Sequence, residues 1–109
     1  MGEKCEKCLR MFKDFLQKIE RAWKFAERKE PHGVSFYIKE SLKTVDEMER
    51  SRCIEPTVTT RLRERLNEVK FQAEKWNFRQ VDTLATDYIE PLIDTDVIHS
   101  LARTCQIEY

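Results

Sequence analysis

Between Cys5 and Ala26 the residues Cys5, Cys8, Phe12, Phe15, Ile19, Ala22 and Ala26 recur at gaps of three and four. Leu9, Leu16 and Trp23 run beside them at every seventh position. Such gaps line these side chains along one side of an α-helix and would scatter them over both faces of a strand. The stretch therefore predicts a helix from about Glu3 to Lys29 with a wide apolar face. The first two positions on that face are a Cys-x-x-Cys pair. Glu3–Lys7, Glu6–Arg10, Asp14–Lys18 and Glu20–Lys24 place acid before base at i, i+4, the favourable order on a helix surface.

The remaining chain continues in the same style. It holds only two glycines, Gly2 and Gly33, too few for the tight turns of an all-β fold. Each of the three prolines follows a glutamate, and the residue before proline is pushed out of the α region. This divides the chain into segments 1–30, 31–55, 56–90 and 91–109. Pro31-His32-Gly33 reads as a turn. A second helix is expected from about Val34 to Arg52, with Val34, Ile38, Ser41, Leu42, Val45 and Met48 on its face. Thr57 or Thr59 would cap a third helix carrying Val58, Leu62, Leu66, Val69, Ala73 and Trp76.

Beyond Trp76 the pattern resumes at Val81, Leu84/Ala85 and Tyr88 with a slipped phase. Two readings follow: one helix that continues with a drift, or, the preferred one, a break near Asn77 with Asn77 capping a new helix and Gln80 completing a capping box. Asp94-Thr95-Asp96 would start a final helix running from about Thr95 to Gln106. The reading is a single all-α domain over residues 1–109, an antiparallel four-helix bundle, or five helices with the break at Asn77. Its expected core is Phe12, Phe15, Leu16, Ile19, Trp23, Ile38, Leu42, Val45, Leu62, Leu66, Val69, Trp76, Leu84, Val97 and Leu101.

Charge narrows the function classes. Twenty Lys and Arg balance twenty Asp and Glu. A dedicated binder of nucleic acid or an anionic membrane would carry a basic excess. A neutral chain repels its own copies weakly and associates easily. No run of 18 apolar residues is present, and the charged start lacks an apolar signal core. Glu6 stands where a myristoylation signal wants Ser or Thr. The expected location is the cytoplasm, where thiols usually stay reduced.

The four cysteines are the main candidates for chemistry. The antiparallel arrangement brings Cys53 to the start of the first helix, and a break at Asn77 lets Cys105 return there as well. Cys5, Cys8, Cys53 and Cys105 would then match the ligand number of a structural Zn or an Fe–S cluster. Buried inert thiols are the plainer reading and the favoured one, with metal second and disulfides third. Asp96 and His99 share one turn at i, i+3, but no Glu-x-x-His exists to build a di-metal site, so His99 reads as a surface residue and His32 as a turn residue. No Ser/His/Asp arrangement, phosphate loop or nucleophile elbow is present, which points away from an enzyme.

Arg61, Arg65, Lys75 and Arg79 line one side of helix three and could contact phosphates, but Glu64, Glu68 and Glu74 interrupt them. Phe25, Phe36, Phe71 and Phe78 lie off the main stripes and are candidates for an interface. The leading expectation is a non-enzymatic interaction or accessory protein that binds a protein partner, including itself as a homodimer. A nucleic-acid-associated protein and a Cys-ligated metal protein are the alternatives.

Overall fold

The computed structural model describes residues 2–108, with side chains through Gln106. The chain forms α1 (Glu3–Glu27), α2 (Pro31–Arg50), α3 (Pro56–Glu74), α4 (Phe78–Thr83) and α5 (Ile98–Glu108). Between α4 and α5 it stays helical through two π-helical stretches, Leu84–Ile89 and Leu92–Val97. Residues 78–108 are therefore one continuous last rod. The molecule is an elongated all-α bundle, 46 × 19 × 18 Å.

Side-chain partners show how the rods run. From α1 to α2 they pair Phe25 with Tyr37, Lys18 with Thr44, and Cys8 with Cys53 in the turn beyond. From α2 to α3, Asp46 pairs with Arg63 and Glu49 with Thr59. Arg65 lies over Tyr88, Arg61 pairs with Asp96, and Glu55 pairs with Arg103. In each case numbers rise on one rod as they fall on its neighbour, so successive rods are antiparallel.

Three reversals are made with almost no glycine. Lys29, Arg52 and Trp76 adopt positive φ of 56°, 58° and 62°. Each is the residue after a helix C-cap, and the same pair of bonds closes each turn. Glu30 N–H donates to Phe25 C=O while Lys29 donates to Ala26; Cys53 donates to Met48 while Arg52 donates to Glu49; Asn77 donates to Gln72 while Trp76 donates to Ala73. This is the Schellman arrangement, which satisfies carbonyls that a helix end leaves open. The break expected at Asn77 is present. The Asn77 side chain accepts from Gln80 N–H at 3.3 Å, the first half of the expected capping box.

Pro31 and Pro56 begin their helices, since an N-terminal first turn needs no proline N–H. Glu30 and Glu55 occupy the cap positions with extended backbones. Pro31-His32-Gly33 is therefore the first turn of α2 and not a loop, and neither Thr57 nor Thr59 is the cap of α3. Thr59 is buried, and its hydroxyl donates to the Glu49 carboxylate of α2.

The third proline behaves differently. No helix ends at Glu90-Pro91, and Asp94-Thr95-Asp96 lies inside the last rod. The apolar pattern explains this. Val81, Ala85, Ile89, Ile93, Val97 and Leu101 recur at every fourth position, and all are buried. In an ideal α-helix each four-residue step overshoots a full turn by about 40°. Five steps would carry the stripe about halfway around the rod. The wider π turns absorb that overshoot and hold the stripe on the core. They also flank Pro91, whose missing N–H and bulky ring would break a regular helix.

Most of the expected core is buried, including Phe15, Ile38, Leu62, Leu66 and Val97. Phe12, Trp23 and Leu42 pack against it at partial exposure. Two assignments fail. Leu16 is 38% exposed, and Trp76 is 66% exposed because the positive φ at the end of α3 takes it off the helical stripe. Tyr88 is exposed as well, its place taken by Ile89.

Gly33 is needed for a close approach and not for a turn. A Cβ built there would lie 2.3 Å from the Phe25 ring. Phe25 itself stacks on Tyr37 with ring centroids 5.7 Å apart. Gly→Ala inside a helix ordinarily gains about 1 kcal/mol. Here Gly33→Ala is expected to lose about 1–3 kcal/mol through overpacking, read by urea denaturation. In a Phe25→Ala background, which removes the Cγ and both Cδ atoms that the new Cβ would meet, the same change should become stabilising.

Candidate functional site

The end of the bundle where α1 begins gathers all four cysteines. Cys5 and Cys8 lie one turn apart on the buried side of α1. Cys53 is delivered by the reversal after α2, where its own N–H closes the turn onto Met48 C=O at 2.9 Å. Cys105 arrives on the last rod. That rod grips the α2–α3 connection from three neighbouring positions. Ser100 Oγ accepts from Glu55 N–H at 2.9 Å, Thr104 Oγ donates to Cys53 C=O at 2.9 Å, and Arg103 pairs with Glu55 at 3.1 Å. The gathering depends on the Asn77 reversal, as expected from the sequence.

The sulfurs bond to one another. Cys5 joins Cys105 and Cys8 joins Cys53, with Cα separations of 4.9 and 5.5 Å. No cysteine among the described residues is free. This overturns the Zn or Fe–S assignment to Cys5, Cys8, Cys53 and Cys105. A metal takes thiolates, and a sulfur committed to a disulfide offers none. Among the described residues no other cluster of His, Cys, Asp and Glu is placed to hold a metal ion. The expectation of reduced, inert thiols fails with it. Cys5, Cys8 and Cys53 are buried as small hydrophobes would be, whereas Cys105 is only half-buried.

The basic residues of α3 do not form one open surface. Arg61 pairs with Asp96 at 2.8 Å. Arg65 contacts Glu68 at 3.5 Å and lies 4.2 Å from the Tyr88 ring centroid. Lys75 lies over Phe71 at 4.2 Å, and Arg79 stands in α4, beyond the break. Asp96 is thus taken up by Arg61, and His99 and His32 are both exposed.

The four candidate interface phenylalanines divide into two pairs. Phe25 and Phe78 pack at partial exposure against the core, while Phe36 and Phe71 are 56% and 51% exposed. Trp76 joins the exposed pair and meets Phe78 edge-on at 6.1 Å. Because the rods alternate, the start of α2 and the end of α3 lie at one end of the bundle, opposite the disulfides. An open groove of about 510 Å³ lies at that end, with Trp23 and Ala26 on one side and Phe78, Arg79 and Val81 on the other.

Near the disulfide end, hydrogen bonding from Thr59 holds the Glu49 carboxyl below its usual range, against an opposing desolvation effect, with Arg63 also lowering it. Asp14 is lowered first by its hydrogen bond to Lys18. Acids whose folded pKa is depressed contribute stability that is fully present above the unfolded value and lost as pH falls through the folded one. The melting temperature should therefore fall as pH drops below about 4, and Thr59→Val should shallow that fall.

Sequence reasoning missed the grip made by Ser100, Arg103 and Thr104. Their signal was a polar cluster flanking Cys105. It also placed Trp76 in the core, although Trp76 directly precedes the predicted cap Asn77. Compared with family models, curated proteins and solved structures, the chain matches none. Among the described residues no helix is long and apolar enough to cross a membrane.

Under denaturing conditions without reductant, thiol titration should find no free cysteine. Closing loops of 45 and 100 residues, each disulfide is expected to contribute about 2–4 kcal/mol. Cys8→Ser/Cys53→Ser should lower the melting temperature by about 10 °C or more. A titration returning four thiols would remove both bonds.

Proposed function

We propose that this is a non-enzymatic interaction module for an oxidising compartment, and that it binds a protein partner, a second copy of itself included, through the end opposite the disulfides. The two disulfides support the compartment, because such bonds persist outside reducing cytosol. This replaces the cytoplasmic expectation.

Trp76 carries the interaction reading. A side chain at positive φ is less favourable than glycine there by about 1–2 kcal/mol. At Trp76 the chain places a large aromatic at such a site and leaves it 66% exposed. Lys29 and Arg52 occupy equivalent positions, but their charged heads have an obvious use in water. An indole does not, and tryptophan is the residue most often enriched at the centre of binding surfaces. Phe36 and Phe71 are two further exposed aromatics toward the same end. The balanced net charge opposes association only weakly.

Trp76→Gly separates folding from binding. It is expected to stabilise the monomer by about 1 kcal/mol in denaturant titration, by relieving the left-handed backbone. Light scattering should show wild-type self-association rising with concentration, and a Phe36→Ser/Phe71→Ser/Trp76→Gly protein that stays monomeric with unchanged helicity. A wild type that is monomeric at every concentration removes the self-association part.

A further inference from the structure

We infer that the four sulfurs form a thiol–disulfide exchange relay that opens at Cys105 and ends by releasing the start of α1. This goes beyond the interaction reading and uses the opposite end of the bundle.

Three observations carry it. Access to the bonds is unequal: Cys105 is half-buried, whereas Cys8 and Cys53 are 0% exposed. An external thiolate therefore reaches the Cys5–Cys105 bond first. Next, Cys5 and Cys8 lie at i, i+3 on one helix face, so a sulfur freed at Cys5 is one turn from the second disulfide. Finally, the α2–α3 connection and the last rod already share the Glu55–Ser100, Glu55–Arg103 and Cys53–Thr104 contacts. Thr104, next to Cys105, bonds Cys53 itself. The segments that would carry a Cys53–Cys105 bond are held together before any such bond forms.

The steps balance without net oxidation or reduction. A small thiolate attacks Cys105 Sγ, forms a mixed disulfide there, and expels Cys5 as thiolate. Cys5 attacks Cys8 Sγ, forms Cys5–Cys8, and expels Cys53 as thiolate. Cys53 attacks Cys105 Sγ, forms Cys53–Cys105, and returns the incoming thiolate unchanged. Two bonds between α1 and the rest of the fold become one bond within α1 and one between segments already in contact. The element set free is the N-terminal end of α1, and the fold keeps its other contacts.

The test uses the oxidised full chain with catalytic glutathione, quenched over time by alkylation and mapped after trypsin. Cleavage after Lys4, Lys7, Arg10, Arg52, Arg61 and Arg103 puts every cysteine on its own peptide. The expected order is glutathionylated Cys105 with alkylated Cys5 first, then linked peptides 5–7 and 8–10 together with linked 53–61 and 104–109. In a Cys5→Ser/Cys105→Ser protein, opening of Cys8–Cys53 should be at least about tenfold slower than in wild type. The inference is overturned if Cys8–Cys53 opens first or at the same rate, or if no Cys5–Cys8 pair accumulates. Should the double variant fail to fold, the wild-type order of products decides alone.

Discussion

Each return in this bundle depends on a residue with a full side chain held in the left-handed region. Lys29, Arg52 and Trp76 share a geometry that glycine would adopt with less strain. The strain is offset locally, because each turn closes two backbone bonds onto carbonyls that would otherwise stay open. It is also offset across the bundle. The second turn ends in Cys53, fixed by its disulfide to Cys8 and by the hydrogen bond from Thr104. The first turn is packed under Phe25, whose ring lies against Gly33. One of the two glycines thus serves helix packing, and the reversals are left to residues that need outside support.

The last rod obeys a second constraint, the mismatch between a four-residue apolar repeat and a 3.6-residue helix. Regular α geometry would turn Ile93, Val97 and Leu101 away from the core that Val81 and Ala85 enter. The π stretches keep all five buried. The same underwinding tolerates Pro91, so the fold keeps one long rod where the sequence suggested two helices. The chemistry at Cys105 depends on this continuity. A rod broken at Pro91 would have no fixed register by which Ser100, Arg103 and Thr104 could find Glu55 and Cys53.

Much of this was legible in the chain. Helical gaps fixed α1, α2 and α3. Asn77 followed by Gln80 marked the break that returns Cys105 to Cys5. The every-fourth repeat from Val81 to Leu101 was equally visible, but reading it against an ideal helix turned it into a phase slip and put Tyr88 where Ile89 belongs. The Glu-Pro pairs misled for a related reason. A proline marks where a helix cannot receive a bond, which fits the start of one helix and the π-wound interior of another. What the residues alone could not decide was the state of the sulfurs. Four cysteines at one end of a bundle satisfy a metal, a pair of disulfides or a plain core equally well in spacing. The choice rests on which Cα atoms come within bridging distance, a property of the assembled end.

The two ends of the molecule are therefore built on opposite principles. At the cysteine end the sulfurs are bonded to each other, and Glu55 is held by Ser100 and Arg103, Cys53 by Thr104, and Glu49 by Thr59 and Arg63. At the other end Phe36, Phe71 and Trp76 meet water, and Trp76 does so from a backbone geometry that disfavours it. Exposed apolar surface is compatible with a stable fold when the remaining elements are fixed elsewhere. Covalent closure at one end lowers the entropy of the unfolded chain and leaves a margin against strain at the other. The two disulfides and the left-handed backbone at Trp76 thus act on opposite sides of one stability balance.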